Sequence, residues 1–249
     1  MRKALFASVA AIATFAALPA FAASGYAGAA VNWGEVQVAG DDEWGVGYDV
    51  SGAVSAPITQ TISVQADASY SDAEDADGVF SGALHLVGDL EGGMRVGAFV
   101  AGADVQDETV LGGGFEGQVQ FERSTLGATV AYATIDDLDV DLWGVGGDYR
   151  FFVNDNLRVD GGLSWASIDT PIGDTEAWGA GLGGEFRPQN TPFSVFGGWA
   201  YSEADELDVS ANTFSLGVRV SFGNATLKDR DRSGPSFNGA TGLLSLASF

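Results

Sequence analysis

Between Trp44 and Phe222, apolar residues alternate with small or polar ones in segment after segment. The last segment is the cleanest: Phe214, Leu216, Val218, Val220 and Phe222 interleave with Thr213, Ser215, Gly217, Arg219 and Ser221. Successive side chains of a strand point to opposite faces, so this period gives each segment one apolar and one polar side. An apolar face suits lipid and a polar face suits water. In lipid every backbone N–H and C=O must find a partner, and for strands only a closed sheet provides it. The pattern predicts an all-β fold, a transmembrane antiparallel up-and-down barrel.

Read in order, the strands fall at about residues 29–40, 44–56, 61–71, 79–89, 93–104, 108–121, 125–136, 140–152, 157–168, 176–187, 193–203 and 211–222. That makes twelve, with ten as the alternative count. Five connections are compact and rich in turn formers: Pro57–Gln60, Leu90–Gly92, Glu122–Ser124, Asn154–Asn156 and Pro188–Pro192. They are expected to face the periplasm, with longer loops outside. The first strand changes parity between Trp33 and Val36, which predicts a bulge at Gly34.

Aromatic residues collect at strand ends, as rings do at the two membrane interfaces. Trp44, Tyr70, Phe80, Trp143, Trp165, Trp178, Trp199 and Tyr201 fall at one end, and Phe121, Phe151, Phe186, Phe193 and Phe222 at the other. A secreted β-sandwich with a buried aromatic core offers no reason for this placement.

The six remaining connections are acidic. They hold Asp41, Asp42, Glu43; Asp72, Glu74, Asp75, Asp77; Asp104, Asp107, Glu108; Asp136, Asp137, Asp139, Asp141; Asp169, Asp174, Glu176; and Glu203, Asp205, Glu206, Asp208, with no Lys or Arg among them. Two readings stand: a solvated rim, or an electrostatic funnel that concentrates cations at a pore mouth. Asp137, Asp139, Asp141 and Asp148 are spaced like the start of a calcium loop. Leu142, however, stands where that loop needs Gly, so no metal site is predicted.

The amino terminus directs export. Arg2 and Lys3 precede an apolar run from Ala4 to Leu18, then Pro19 and an Ala20-Phe21-Ala22 cleavage signal. The run is shorter than the ~20 residues of a spanning helix, so residues 1–22 read as a signal peptide and 23–223 as one barrel domain. Loss of Arg2 and Lys3 leaves nine of eleven basic residues against thirty-four acids, a net charge of −25, which excludes nucleic acid as a partner. With no Cys there are neither disulfides nor thiolate metal sites, and nothing implies a cofactor.

By parity the inner wall carries Asp49, Gln65, Asp67, His85, Arg95, Glu116, Gln118, Gln120, Asp148, Arg150, Arg158, Asp160, Glu185, Arg187 and Arg219. The charged residues among them are the expected pore lining. Such charges either form a ladder of ion pairs that fills the lumen or line a wet channel. Gly112, Gly114, Gly144, Gly146, Gly179, Gly181 and Gly183 leave room for water and favour the channel. Hydrolysis by a Ser/His pair is the rival. His85 has Ser81 four residues away on the same face and Gln65 and Asp67 across the hairpin, but it points into the lumen, away from lipid substrates. No enzymatic activity is expected.

Ser215, Gly217, Val220 and Phe222 lie in a segment that resembles the terminal assembly signal of Gram-negative outer-membrane barrels. With the signal peptide and the strand rhythm, the chain up to Phe222 resembles a small porin-type protein. The resemblance implies the outer membrane, its lipid, the barrel-assembly machinery, and passive diffusion of small hydrophilic solutes, here weakly favouring cations. A non-conducting structural or adhesion barrel is the alternative, and a lipid-modifying enzyme ranks below it. Two features depart from the family: no loop is long enough to fold back as a constriction, and the chain continues past the aromatic. Residues 224–249 are expected as a solvated periplasmic extension. The extension carries Lys228, Arg230 and Arg232, and the alternatives are a plug that re-enters the lumen or an anchor on cell-wall material. Leu243 to Phe249 also imitates a second assembly signal.

Overall fold

The period-two pattern yields twelve strands in the computed structural model, which describes residues 23–73, 78–105, 108–135, 138–171 and 173–238. The expected signal peptide, the tail beyond Asn238, and Glu74, Asp75, Asp77, Asp107, Asp136 and Asp137 of the acidic connections lie outside the described residues. The strands are β1 Ser24–Val38, β2 Asp41–Pro57, β3 Ile62–Ala73, β4 Val79–Leu90, β5 Met94–Val105, β6 Glu108–Gln120, β7 Ser124–Ile135, β8 Val140–Asn154, β9 Leu157–Thr170, β10 Gly173–Phe186, β11 Phe193–Ala204 and β12 Val209–Phe222. Each pairs antiparallel with its chain neighbours, and β1 pairs with β12 from Gly25 opposite Phe222 to Val38 opposite Val209, closing the barrel. Closure is complete at Phe222, so the sheet uses nothing from the tail. An even strand count brings Ser24 and Phe222 to the same end as the compact turns, called here the turn end.

Strand β1 differs from expectation in two ways. It starts at Ser24, and its register with β2 and β12 runs unbroken through Gly34, so there is no bulge there. The change of parity has another cause. Val36 and Val38 stand on the lumen row with Asn32, while Glu35 and Gln37 face outward, because β1 has risen above the part of the wall that lipid requires to be apolar. The described register irregularity lies instead between Phe152 and Asn154, beside the β8–β9 turn.

The acidic connections are also shorter than outer loops are expected to be. Strands run on through several of the acids, leaving two to five residues between strands. Between β1 and β2 only Ala39 and Gly40 remain, with φ of 51° and 89°, a left-handed pair that matches the twist of a tight hairpin. The two ends of the barrel therefore differ in charge and not in loop length.

Outside, the wall is greasy at mid-height. Val100 is 63% exposed, Phe115 and Leu163 69%, and Leu182 65%. A continuous apolar band of this kind belongs in hydrocarbon. Trp44, Phe80, Trp143 and Trp178 are exposed toward the acidic end, and Phe121, Phe186, Phe193 and Phe222 toward the turn end. Several upper rings are tied to rim carboxylates: the Tyr48 and Tyr70 hydroxyls donate to Asp72 at 3.2 and 2.8 Å, Trp165 Nε1 donates to Glu176 at 3.3 Å, and Tyr201 donates to Glu203 at 2.8 Å. Polar ring edges thus point away from the lipid band.

Candidate functional site in the lumen

Alternation obliges every second residue of each strand to face inward, and the structure places Asp49, Asp67, His85, Arg95, Glu116, Asp148, Arg150, Arg158, Asp160, Glu185, Arg187 and Arg219 on the inner wall. Eight of them fall into three groups. On β3, β4 and β6, His85 lies between two carboxylates, with Nε2 2.7 Å from Asp67 and Nδ1 2.5 Å from Glu116. Ionised carboxylates only accept, so both contacts are hydrogen bonds when both ring nitrogens carry hydrogen. The Ser81 hydroxyl bonds Ser69 at 2.7 Å. His85 and Ser81 therefore have separate partners.

The second group surrounds Glu185, which is 1% exposed. Arg219 and Arg230 reach it at 2.5 Å and Arg158 at 3.6 Å. Arg219 is also held between the rings of Tyr26 and Phe196, with centroids at 4.5 and 4.3 Å. In the third, Arg150 binds Asp148 and Asp231, each at 2.7 Å. Asp148 fits because its neighbour on β7 is Gly127, where a Cβ would stand 2.2 Å from the carboxylate oxygen. At this position the lumen glycine makes room for a charged side chain and not for water. Asp148 is thereby separated from Asp139 and Asp141 at the rim, with which the sequence had grouped it.

Arg230 and Asp231 belong to the tail, which departs from the solvated extension expected of it. Helix α1, Leu227–Ser233, begins with a capping box in which Thr226 accepts from the Asp229 N–H and the Asp229 carboxylate accepts from the Thr226 N–H. It sits inside the turn end of the lumen. Arg230 binds Glu185 and the Ser221 hydroxyl, and Asp231 accepts from Thr125 and Arg150. Beyond the helix, the Ser236 hydroxyl meets Arg95 at 2.8 Å and Gln118 at 3.0 Å, and the Phe237 carbonyl accepts from Gln65 at 2.7 Å. Arg187 donates to the Asn224 carbonyl at 3.1 Å. The tail thus touches β3, β5, β6, β7, β8, β10 and β12. Leu227 is fully buried, and Phe237, 3% exposed, lies under the Arg95 guanidinium. The reason is electrostatic: Glu185 and Arg150 stand on nearby inner rows, and adjacent Arg230 and Asp231 present the opposite charges in matching order.

Above the tail is a cavity of about 1110 Å³. Phe237 and Asn238 line its lower part, Asn32, Asp49, Ser164, Thr213 and Ser215 its polar walls, and Val38 and Val209 mark its reach toward the acidic end. Elsewhere on the inward rows, Ala131, Leu142, Ala166, Ala177 and Ala204 form one buried apolar cluster with Ala83 and Phe99. Sequence reasoning missed this cluster because small apolar residues satisfy either face of the alternation. It also missed Thr125 and Ser221 as partners of the tail, and Ser236 as a contact within it. The one available signal was the sign alternation from Lys228 to Arg232, unusual in so acidic a chain.

No protein-family model and no curated protein sequence matches the chain. Solved structures do. An outer membrane channel from Pseudomonas putida F1 aligns with a TM-score of 0.62 over 83% of this chain and 97% of its own, at 10% identity. The KdgM porin aligns at 0.53 over 78% and 99%, with 6% identity. The translocator domain of the autotransporter NalP from Neisseria meningitidis aligns at 0.51 over 89% and 96%, with 11% identity. At such identities the likeness is one of fold, and the chain has the closed antiparallel architecture of a small outer-membrane β-barrel.

Proposed function

We propose that the protein is an outer-membrane channel for small hydrophilic solutes, weakly favouring cations. The observation that carries this reading is the cavity of about 1110 Å³ inside a lipid-facing barrel, lined by hydroxyl, amide and paired charged side chains among glycines and apolar residues and extending toward the acidic end. Two of the barrels that share the fold are named a channel and a porin. In this reading Asp49, Asp148, Arg158, Asp160 and Arg219 face passing solute, and the rim acids raise the local cation concentration. Ser215, Gly217, Val220 and Phe222 serve recognition by the assembly machinery, residues 1–22 serve export, and the activity is non-enzymatic.

Single-channel recording of the refolded full chain in planar bilayers tests this. Discrete conductance steps are expected, with reversal potentials in a salt gradient on the cation-selective side. The preference fades as ionic strength rises toward ~0.15 M, where the Debye length is ~8 Å. Replacing Asp139, Asp169, Asp174 and Asp208 by Asn should preserve conductance and move the reversal potential toward zero. Anion selectivity of the wild type, or an unchanged reversal potential at low salt, would end the funnel reading. One observation favours the alternative of a non-conducting barrel: the tail occupies the turn end. Silence of both the full chain and a chain ending at Gly223 would establish that alternative.

A further inference from the structure

Four barrel residues that grip the tail, Glu185, Arg150, Arg95 and Gln65, share one property. Each keeps a second partner on the barrel itself. Glu185 meets Arg230 of the tail, but also Arg219 and Arg158. Arg150 meets Asp231, but its Nε stays 2.7 Å from Asp148. Arg95 reaches Ser236 through one amino group, while its Nε is held 2.7 Å from Asp89. Gln65 binds the backbone of Ser236 and Phe237 and also Asp67.

A buried charge is costly when it loses its only partner, and much less so when another remains. Departure of the tail therefore strands none of these three charges in the lumen, while Arg230 and Asp231 pass into water. Nor does departure break the sheet, since β1 and β12 close it without the tail. The tail is also organised by itself: the Thr226–Asp229 capping box and the bond from the Gly234 N–H to the Arg230 carbonyl at 2.9 Å are internal to it. Its apolar anchorage is small, resting on Leu227 and Phe237.

We propose that the turn end of the lumen is a peptide-binding site, and that residues 224–238 are its tethered, releasable ligand. The site reads an adjacent Arg-Asp pair. Glu185 on β10 takes the guanidinium, and Arg150 on β8 with Thr125 on β7 takes the carboxylate. The Ser236-Phe237 step then settles on Gln65, Arg95 and Gln118. When docked, the segment closes the periplasmic side of the cavity. When released, it joins the cavity to the periplasm, and a soluble peptide of the same charge order competes for the vacated place.

The test uses a chain ending at Gly223, whose twelve strands pair fully without the tail, refolded into lipid vesicles. A dye-labelled synthetic peptide of residues 224–238 is added, and binding is read by fluorescence anisotropy. Saturable binding is expected. A second peptide carrying Arg230→Asp with Asp231→Arg has the same composition and net charge but the reversed order, and is expected to bind at least ~10-fold more weakly. Absence of saturable binding by the native peptide, or equal binding of both, overturns the proposal. In bilayers the truncated barrel is expected to show larger steps than the full chain, and the native peptide added on the turn side is expected to shut them. This arm rests on the channel reading, whereas the anisotropy arm does not. Binding without conductance would sink the channel and support the site.

A second measurement covers failure of the truncated chain to refold. Because the protein has no cysteine, Ser236→Cys in the full chain supplies a single buried thiol. Its labelling by a water-soluble maleimide is expected to accelerate when Arg230→Ala and Asp231→Ala are added. Equal labelling rates would show that the charge pair does not hold the segment, and the proposal would fall.

Discussion

At the turn end of the lumen Glu185, Arg150 and Arg95 are 1%, 4% and 3% exposed, and each touches at least two partners. At the acidic end Asp139, Asp169 and Asp174 stand in water, and Asp169 lies directly opposite Asp141 on β8 and Asp174 on β10. Charged side chains thus meet opposite environments about one strand length apart. Inside, desolvation is tolerated only because each charge is matched by geometry. At the rim, water, mobile ions and ring donors such as Tyr132, whose hydroxyl bonds Asp141, take the place of cationic partners, so like charges sit side by side at little cost. Charge at the turn end defines a structure, and charge at the acidic end defines a field.

Four substitutions break or sharpen that contrast, from the largest expected effect to the smallest. Glu185→Ala removes the anion shared by Arg158, Arg219 and Arg230 and leaves three guanidinium groups together; a loss of about 3 kcal/mol or more is expected. Urea unfolding in lipid vesicles measures it, and a loss under about 1 kcal/mol would mean that water already screens this cluster. Val218→Arg tests the outer wall one residue from Arg219, which the inner wall accommodates. Near mid-membrane it should cost ~2–4 kcal/mol, and folding yields equal to wild type would contradict the assigned face.

Asp231, on α1 and not in a spanning strand, supplies a pH dependence. Burial pushes its carboxyl up, but the facing Arg150 guanidinium and the Thr125 hydroxyl outweigh burial and hold it below the usual carboxylate range. The docked tail therefore keeps this stabilisation above the ordinary carboxylate pKa of ~3.9 and loses it as pH falls through the lowered value. Maleimide cannot be used at that acidity, so a fluorophore at Asn238→Cys reports docking. Its signal should hold from pH 7 to ~4 and change below. Asp231→Asn should weaken docking at neutral pH by about 1.5 kcal/mol, as expected for a hydrogen bond to a charged group, and remove the acid step. An acid step of unchanged size in that variant would assign it to another group.

The smallest effect is at the rim. Asp169→Asn relieves two like-charge neighbours and should stabilise the barrel by ~0.2–1 kcal/mol at low salt, with the gain shrinking as salt is added. Destabilisation would show that a favourable contact of the Asp169 carboxylate outweighs the repulsion.

Much of the wall is legible in the sequence. Val218 and Arg219 could be sent to opposite faces from alternation alone, and twelve strands followed from the connections, because strand geometry is local and its period is two. Trp143 and Phe186 could be assigned to opposite interfaces for the same reason. The bulge expected at Gly34 is absent because Val36 and Val38 stand on the lumen row; the pattern does not mark the height at which lipid ends. Of the site, the inward rows were readable, but not who meets whom across the lumen. Asp148 was grouped with Asp139 and Asp141 by proximity in sequence, while its partner Arg150 lay two residues further along.

By itself, then, the sequence determined the sidedness of each strand, the closed sheet that lipid demands, and the separation of an acidic end from a turn end, since each follows from residue period and solvent preference. Only the tertiary structure decided the fate of the tail. Arg230 meets Glu185 from forty-five positions away, and Asp231 meets Arg150 from eighty-one. Nothing local distinguishes a solvated helix at residues 227–233 from a docked one, because the capping box forms in both. The choice depends on two charges brought by β8 and β10 to nearby places on a curved inner wall, and that closeness exists only once the barrel has closed.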